Sequence, residues 1–171
     1  YSHGDILFMD SAGLIGGLFA LGSGMYFNEP SPRTANILLQ SGAAVGLVTA
    51  GILTRDMNLT SGDSATITVS TGVGVFTGLM GAELVLGDSG DSDDGRYRAA
   101  SALVGLAAGF TTGSVLSQYI DGEVNHGLAA SVALGWGASL GAGIGMAIPD
   151  DYHPRLVAGL SLAGGFSSLY V

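Results

Sequence analysis

VNHGLAASVALGWGASLGAGIGMAI, residues Val124–Ile148, is the stretch on which the fold of this chain turns. Taken at every second residue it runs Val124, His126, Leu128, Ala130, Val132, Leu134, Trp136 and onward to Ile148, an almost wholly apolar series. The residues between are small or polar, from Asn125 and Gly127 through Gly135, Gly137, Ser139, Gly141 and Gly143 to Gly145 and Ala147. A period of two is what a strand produces, because successive side chains point to opposite faces of a pleated backbone. No charge interrupts it.

Three further segments repeat the pattern. In Ala65–Leu79 one face is Ala65, Ile67, Val69, Thr71, Val73 and Val75, the other Thr66, Thr68, Ser70, Gly72 and Gly74, and the run is β-branched, as strands favour. Ala100–Phe110 and the segment from Leu156 to Ser167 alternate similarly. The first two segments alternate less well. Leu14 and Ile15 are neighbours, as are Leu18 and Phe19, so a bulge near Gly16-Gly17 is needed to keep the first as a strand.

Composition sets the environment. The 171 residues include 30 glycines and 4 prolines, 47% are hydrophobic and 11% charged, and the mean hydropathy is +0.49. These values lie on the membrane side of ordinary globular usage. A formal charge of −9, with no lysine and the five arginines Arg33, Arg55, Arg96, Arg98 and Arg155, argues against nucleic acid as a partner. Absence of cysteine removes disulfides and thiolate metal sites and fits an oxidising compartment. Tyr1, with no basic region and short apolar core ahead of the first segment, suggests a processed chain or a piece of a longer one.

Turn-forming polar clusters divide the chain into six apolar segments, and an internal repeat of about 60 residues pairs them. Gly4-Asp5, Gly62-Asp63 and Gly122-Glu123 each open a pair; Arg33, Arg96 and Arg155 each begin the second segment of a pair, and a glycine follows nine positions later at Gly42, Gly105 and Gly164. The expected organisation is one membrane-embedded domain over 1–171 with repeats near 1–57, 58–118 and 119–171.

Two architectures compete. Alternation in four segments of six predicts an all-β protein, an antiparallel transmembrane β-barrel or part of one, made of three long β-hairpins. Six strands fall short of the roughly eight with which single-chain barrels begin, so other chains or further sequence must complete it. The alternative is all-α, six transmembrane helices in three hairpins, since each segment is long enough to cross as a helix. Gly105, Gly109 and Gly113, like Gly137, Gly141 and Gly145, have the four-residue spacing of close helix contact. Four is also a multiple of two, so that spacing does not separate the readings.

Chemistry-bearing residues are sparse. Asp88, Asp91, Asp93 and Asp94 form the one dense cluster of hard oxygen ligands, a candidate Ca²⁺ loop lacking the full EF-hand pattern, against which stands a plain solvated turn. Arg33, Arg96 and Arg155 would line one rim, as ion pairs or lipid-headgroup contacts or as simple turn boundaries. His3, His126 and His153 are scattered. Asp10 and Glu83, the two acids inside segments, lie near segment ends and suit headgroup depth. With no nucleophile elbow, P-loop or paired catalytic carboxylates, an enzyme is not expected and no cofactor beyond that Ca²⁺ is implied. The expected protein is an outer-membrane pore, scaffold or envelope-assembly component whose partners are the lipid bilayer and either copies of itself or a larger envelope complex. The helical alternative is an inner-membrane subunit packed through glycines, and the soluble one a Gly-rich β filament.

Overall fold

The computed structural model describes residues 1–27, 30–55, 57, 59–87, 93–119, 137–138, 140–141 and 154–167. Of these, 89% are helical and none lies in a strand. Five helices carry all the helical residues but Gly137, Ala138, Leu140 and Gly141: α1 (His3–Phe27), α2 (Pro32–Leu53), α3 (Ser61–Leu86), α4 (Asp94–Leu116) and α5 (Pro154–Ser167). The protein is all-α. The β-barrel expectation is overturned, and with it the outer-membrane pore and the β filament that rested on the same strands. Of Val124–Ile148 the described residues are Gly137, Ala138, Leu140 and Gly141, all helical; Trp136, His126 and the rest of the stretch lie outside the description.

The alternation has a helical origin. Glycines spaced i, i+4, i+8 all share one parity, so the contact stripe of a tightly packed helix imitates one face of a strand. A helix surrounded by lipid is apolar on its remaining faces too, so the 3.6-residue polar stripe of a soluble helix never forms to contradict the strand reading. Gly137 and Gly141, one turn apart, are both buried.

Local sequence starts each helix. At α1 the Ser2 backbone N–H donates to Asp5 Oδ2 at 2.6 Å, and the Asp5 N–H donates to Ser2 Oγ at 3.0 Å. Thr60 and Asp63 repeat this capping box at α3, with distances of 2.8 and 3.1 Å. The repeated Gly-Asp openings are thus helix starts, their carboxylates satisfying backbone donors that have no partner within the helix. At α2, Ser31 Oγ accepts from the Thr34 N–H at 3.2 Å, and Pro32, which has no N–H to lose, occupies the first turn. Gly87 ends α3 with φ of +59°, a left-handed backbone that a side chain would strain.

Glycine sets the packing. A β-carbon built on Gly16 would stand 3.1 Å from the Gly46 Cα and closer still to the Gly42 carbonyl oxygen, while one on Gly42 would strike Gly16. In the second hairpin Gly74 and Gly105 face each other in the same way, with 2.9 Å from the Gly74 position to the Gly109 Cα and 3.2 Å from Gly105 to that of Gly78. Gly164 meets Gly137 likewise, 3.0 Å from its carbonyl carbon. The glycines that follow each repeated arginine by nine positions are therefore the contact points of the second helix of each pair.

These pairs then join side by side. Ser64 Oγ donates to the Gly4 carbonyl at 2.7 Å and Thr68 Oγ1 to Ser11 Oγ at 2.7 Å, so α1 and α3 run in the same direction. Of the other helices, α2 packs against α1, α4 against both α3 and α1, and α5 against α3. Phe8, Ala50 and Ile67 form a small buried core, with Phe8 and Phe110 rings 6.5 Å apart.

Outward faces are apolar: Leu14, Val48, Val85 and Val104 are 62 to 75% exposed. With 25, 22, 26 and 23 residues, α1 to α4 are each long and apolar enough to cross a bilayer. The chain is a membrane protein.

A leucine at Gly105 should therefore force α3 and α4 apart, because the obstacle is facing backbone that cannot rotate away. A loss of about 3 kcal/mol or more, at or beyond the upper end of ordinary overpacking, is expected in detergent unfolding followed by circular dichroism. Gly72, where an added β-carbon meets nothing within 4 Å, should accept leucine with a gain of roughly 0.5–1 kcal/mol in helix propensity. Equal responses at the two positions would refute the contact role of Gly105.

Candidate functional site

Among the described residues the charged side chains gather toward the two ends of the bundle. At one end α1 and α3 finish and α2, α4 and α5 begin, which brings the repeated arginines Arg33, Arg96 and Arg155 to the same end. Each occupies the first turn of its helix, where a cation opposes the helix dipole. Their surroundings differ. Arg155 offsets the opposition by reaching the C-terminal end of α3, donating from Nη2 to the Val85 carbonyl at 3.0 Å, with its guanidinium lying over Gly87. Arg96 donates to Asp93 Oδ1 at 3.4 Å, an ion pair with both side chains more than half exposed. Arg33 is exposed.

Among the described residues, a two-bond ion pair at this end is one the repeat does not contain. Arg98 grips Glu83 with two bonds, Nε to Oε1 at 2.7 Å and Nη2 to Oε2 at 3.2 Å, tying the last turns of α3 to the first of α4. Two parallel N–H···O⁻ bonds are the favoured arginine–carboxylate geometry. Glu83, an acid inside a segment, is thereby neutralised by a neighbouring helix. Neither the first nor the third hairpin has an acid or an arginine at the matching positions (Met25 and Ala35, Met146 and Val157), which is why a search for repetition passes over the pair. The available signal was the presence of one acid and one base 15 residues apart across a single turn.

Tyr26, Phe27, Asp93, Arg96 and Tyr97 enclose a pocket of about 320 Å³ at this end. Tyr26 and Phe27 stack edge to face with centroids 5.2 Å apart. Aromatic residues beside arginine at the ends of spanning helices are the interfacial belt of a membrane protein.

The four aspartates considered for Ca²⁺ are not brought together within the description. Asp88 and Asp91 lie outside it, Asp93 pairs with Arg96, and Asp94 is buried in the first turn of α4. Among the described residues no group of three His, Asp or Glu side chains is placed to hold a metal ion.

At the opposite end the starts of α1 and α3 form a buried polar seam. Ser64 Oγ and Ser2 Oγ donate to the carbonyls of Gly4 and Leu59 at 2.7 and 2.9 Å, and Asp5 is almost fully buried beneath the incoming chain. Gly4 makes this possible, since a β-carbon there would stand 2.5 Å from the Thr60 carbonyl carbon. Thr68, which the alternation places on the small, polar face of a strand, serves instead as a helix–helix hydrogen-bond donor. His3 and Asp10 are exposed, while His126 and His153 lie outside the description.

No family model, no curated protein and no solved structure is detectably similar to this chain.

A double-mutant cycle at Glu83 and Arg98 should give a coupling of about 1–2 kcal/mol, above the 0.2–1 kcal/mol of an exposed pair and below that of a fully buried one. Each single change to alanine removes the fork from the opposite charge at the membrane edge, so the double variant should unfold less readily than the sum of the singles implies. Strict additivity would show that the fork carries no net stabilisation.

Proposed function

We propose that this protein is a non-enzymatic, polytopic helical subunit of an inner-type membrane, packed internally through glycines and assembled with copies of itself or with other subunits into a larger complex. The observation behind this reading is how little of each long helix its own chain covers. Only 6% of the apolar window of α2 is buried, and no more than 22% of any of the four. Those surfaces need lipid or other transmembrane helices against them. Close-packed glycine hairpins serve as rigid blocks for such assembly, because in lipid close van der Waals contact and inter-helix hydrogen bonds, rather than hydrophobic burial, hold helices together. Partners in this reading are the bilayer and neighbouring subunits, with nucleic acid excluded by charge.

The arginines also give an orientation. Arg33, Arg96, Arg98 and Arg155 lie at the end where α1 and α3 finish, against Arg55 alone at the other. Basic residues in short loops favour the cytoplasmic side, and acidic ones count little in this rule. The arginine-rich end is accordingly cytoplasmic and α1 starts outside.

A chain without cysteine makes the test direct. Gly95→Cys at the arginine-rich end and Met57→Cys at the other both fall at exposed positions, and an added β-carbon at Gly95 meets nothing within 4 Å. An impermeant maleimide on intact cells should label only Met57→Cys, and both after permeabilisation. Labelling of Gly95→Cys in intact cells would reverse the orientation. Far-ultraviolet circular dichroism in detergent should show helical minima, and a strand spectrum would overturn the whole reading.

A further inference from the structure

The face of the second hairpin carries a long apolar groove. Its volume is about 810 Å³, and it runs along α3 from Val69 to Leu86, which at 1.5 Å per residue is about 25 Å. One acyl chain spans about half of the roughly 30 Å hydrocarbon core, so the groove takes a whole chain with room to spare. At the arginine-rich end it reaches Tyr97, which also lines the pocket holding Arg96 and Asp93. Among the described residues the apolar channel thus opens at headgroup depth beside one cation and one anion, Arg96 and Asp93, 3.4 Å apart. Both side chains are more than half exposed, and the single contact between them uses one of the five guanidinium donors, so each retains capacity for a ligand.

The first hairpin supplies a contrast. Its groove, of about 620 Å³, follows matching positions, for example Ile15, Gly16 and Phe19 in place of Val73, Gly74 and Thr77. There Leu106 and Phe110 of α4 form a further wall, and no lining residue is shared with the charged pocket. Repetition therefore accounts for both grooves, whereas among the described residues only the groove of the second hairpin shares a lining residue, Tyr97, with the charged pocket, which Tyr26 and Phe27 of α1 help to line.

We propose that the α3–α4 groove binds one phospholipid with a zwitterionic, amine-bearing headgroup, the acyl chain along the helix seam, the phosphate on Arg96 and the ammonium on Asp93. Charge complementarity selects this occupant. A lipid with an anionic head and no ammonium would satisfy Arg96 but leave Asp93 facing a second negative charge, whereas the zwitterion matches both signs. Tyr97 and Tyr26 supply the amphipathic rings that suit the glycerol level, with Phe27 packed edge to face on Tyr26.

Gly81 lines the groove, and a β-carbon added there meets nothing within 4 Å, so Gly81→Leu fills the channel without striking the fold. Gly72→Leu is the control, equally unobstructed on the same helix and outside the groove. Protein extracted in mild detergent from membranes containing both phosphatidylethanolamine and phosphatidylglycerol would be weighed by native mass spectrometry. Wild type and Gly72→Leu should each retain one phosphatidylethanolamine per chain. Gly81→Leu should lower that occupancy at least tenfold, and Arg96→Gln should lower it about fivefold and abolish the preference over phosphatidylglycerol. Equal retention in Gly81→Leu and Gly72→Leu, equal retention of the two lipids by wild type, or a dimer that Gly81→Leu alone disperses would each overturn the proposal, the last in favour of a second copy as occupant. The inference rests on the transmembrane reading, so carbonate extraction is run on every sample. Protein released by carbonate would defeat that reading, whereas inserted protein without the lipid defeats the binding site alone.

Discussion

Contact between backbones, made where two glycines face each other, is the constraint on which the rest of this structure depends. At Gly16 and Gly42, and again at Gly74 and Gly105, each position's missing β-carbon leaves an α-hydrogen aimed at the facing carbonyl oxygen. This is the arrangement of a Cα–H···O bond, worth about half of an ordinary one, and it recurs along the seam as Gly46 meets Ala12 and Gly109 meets Ser70. Lipid tails are as apolar as leucine, so burying large side chains between helices gains little over leaving them in the bilayer. Close approach gains dispersion contacts over the whole helix length instead. The same choice explains the exposed valines and leucines, which face the lipid and leave the seam to glycine.

Such seams hold pairs together but leave the pairs to be joined by something else. That is the role of the polar seam between α1 and α3. Asp5 and Asp63 close capping boxes, and the space beside Gly4 lets the chain before α3 cross the start of α1, so that Ser2 and Ser64 can reach carbonyls on the other hairpin. One short motif therefore starts a helix and aligns it with its neighbour. Inter-helix hydrogen bonds in membranes are worth about 0.6 kcal/mol on average. Their contribution is consequently register more than stability: sliding one hairpin along the other would break the bonds of Ser64 and Thr68 together.

Most of the organisation was legible in the residues, and the element type was not. Within the described residues, the pairing of the first two sets of segments, the arginine in the first turn of α2, α4 and α5 and the glycine nine positions on correspond to physical features. The error lay in treating period two as diagnostic when a period of four contains it. Ser2-His-Gly-Asp5 and Thr60-Ser-Gly-Asp63 carry a serine or threonine three residues before an acid, ahead of an apolar run, which is a helix-start signature with no counterpart in strands. Ser31-Pro32 is another. At the candidate site, the shared end of Arg33, Arg96 and Arg155 followed from repetition. The Glu83–Arg98 fork did not, because it occurs once, and the groove did not, because it exists only when two helices are placed together.

That last difference separates the parts of the chain that make it fold from those that make it distinctive. Every hairpin repeats the glycine seam, so the seam cannot distinguish one hairpin from another. Charged groups break the symmetry: Glu83 and Arg98 lock the second hairpin at the end where Arg96, Asp93 and Tyr97 surround the mouth of its groove. A salt bridge at the membrane edge is a poor source of stability relative to packing, but it fixes the rotation of α4 about its axis at that end. Arg98 lies two residues beyond Arg96, so holding the one in place holds the other's helical face in place. Among the described residues the asymmetry between the first two hairpins is thus concentrated near one interface, and recognition of a specific partner there needs no departure from the shared glycine scaffold.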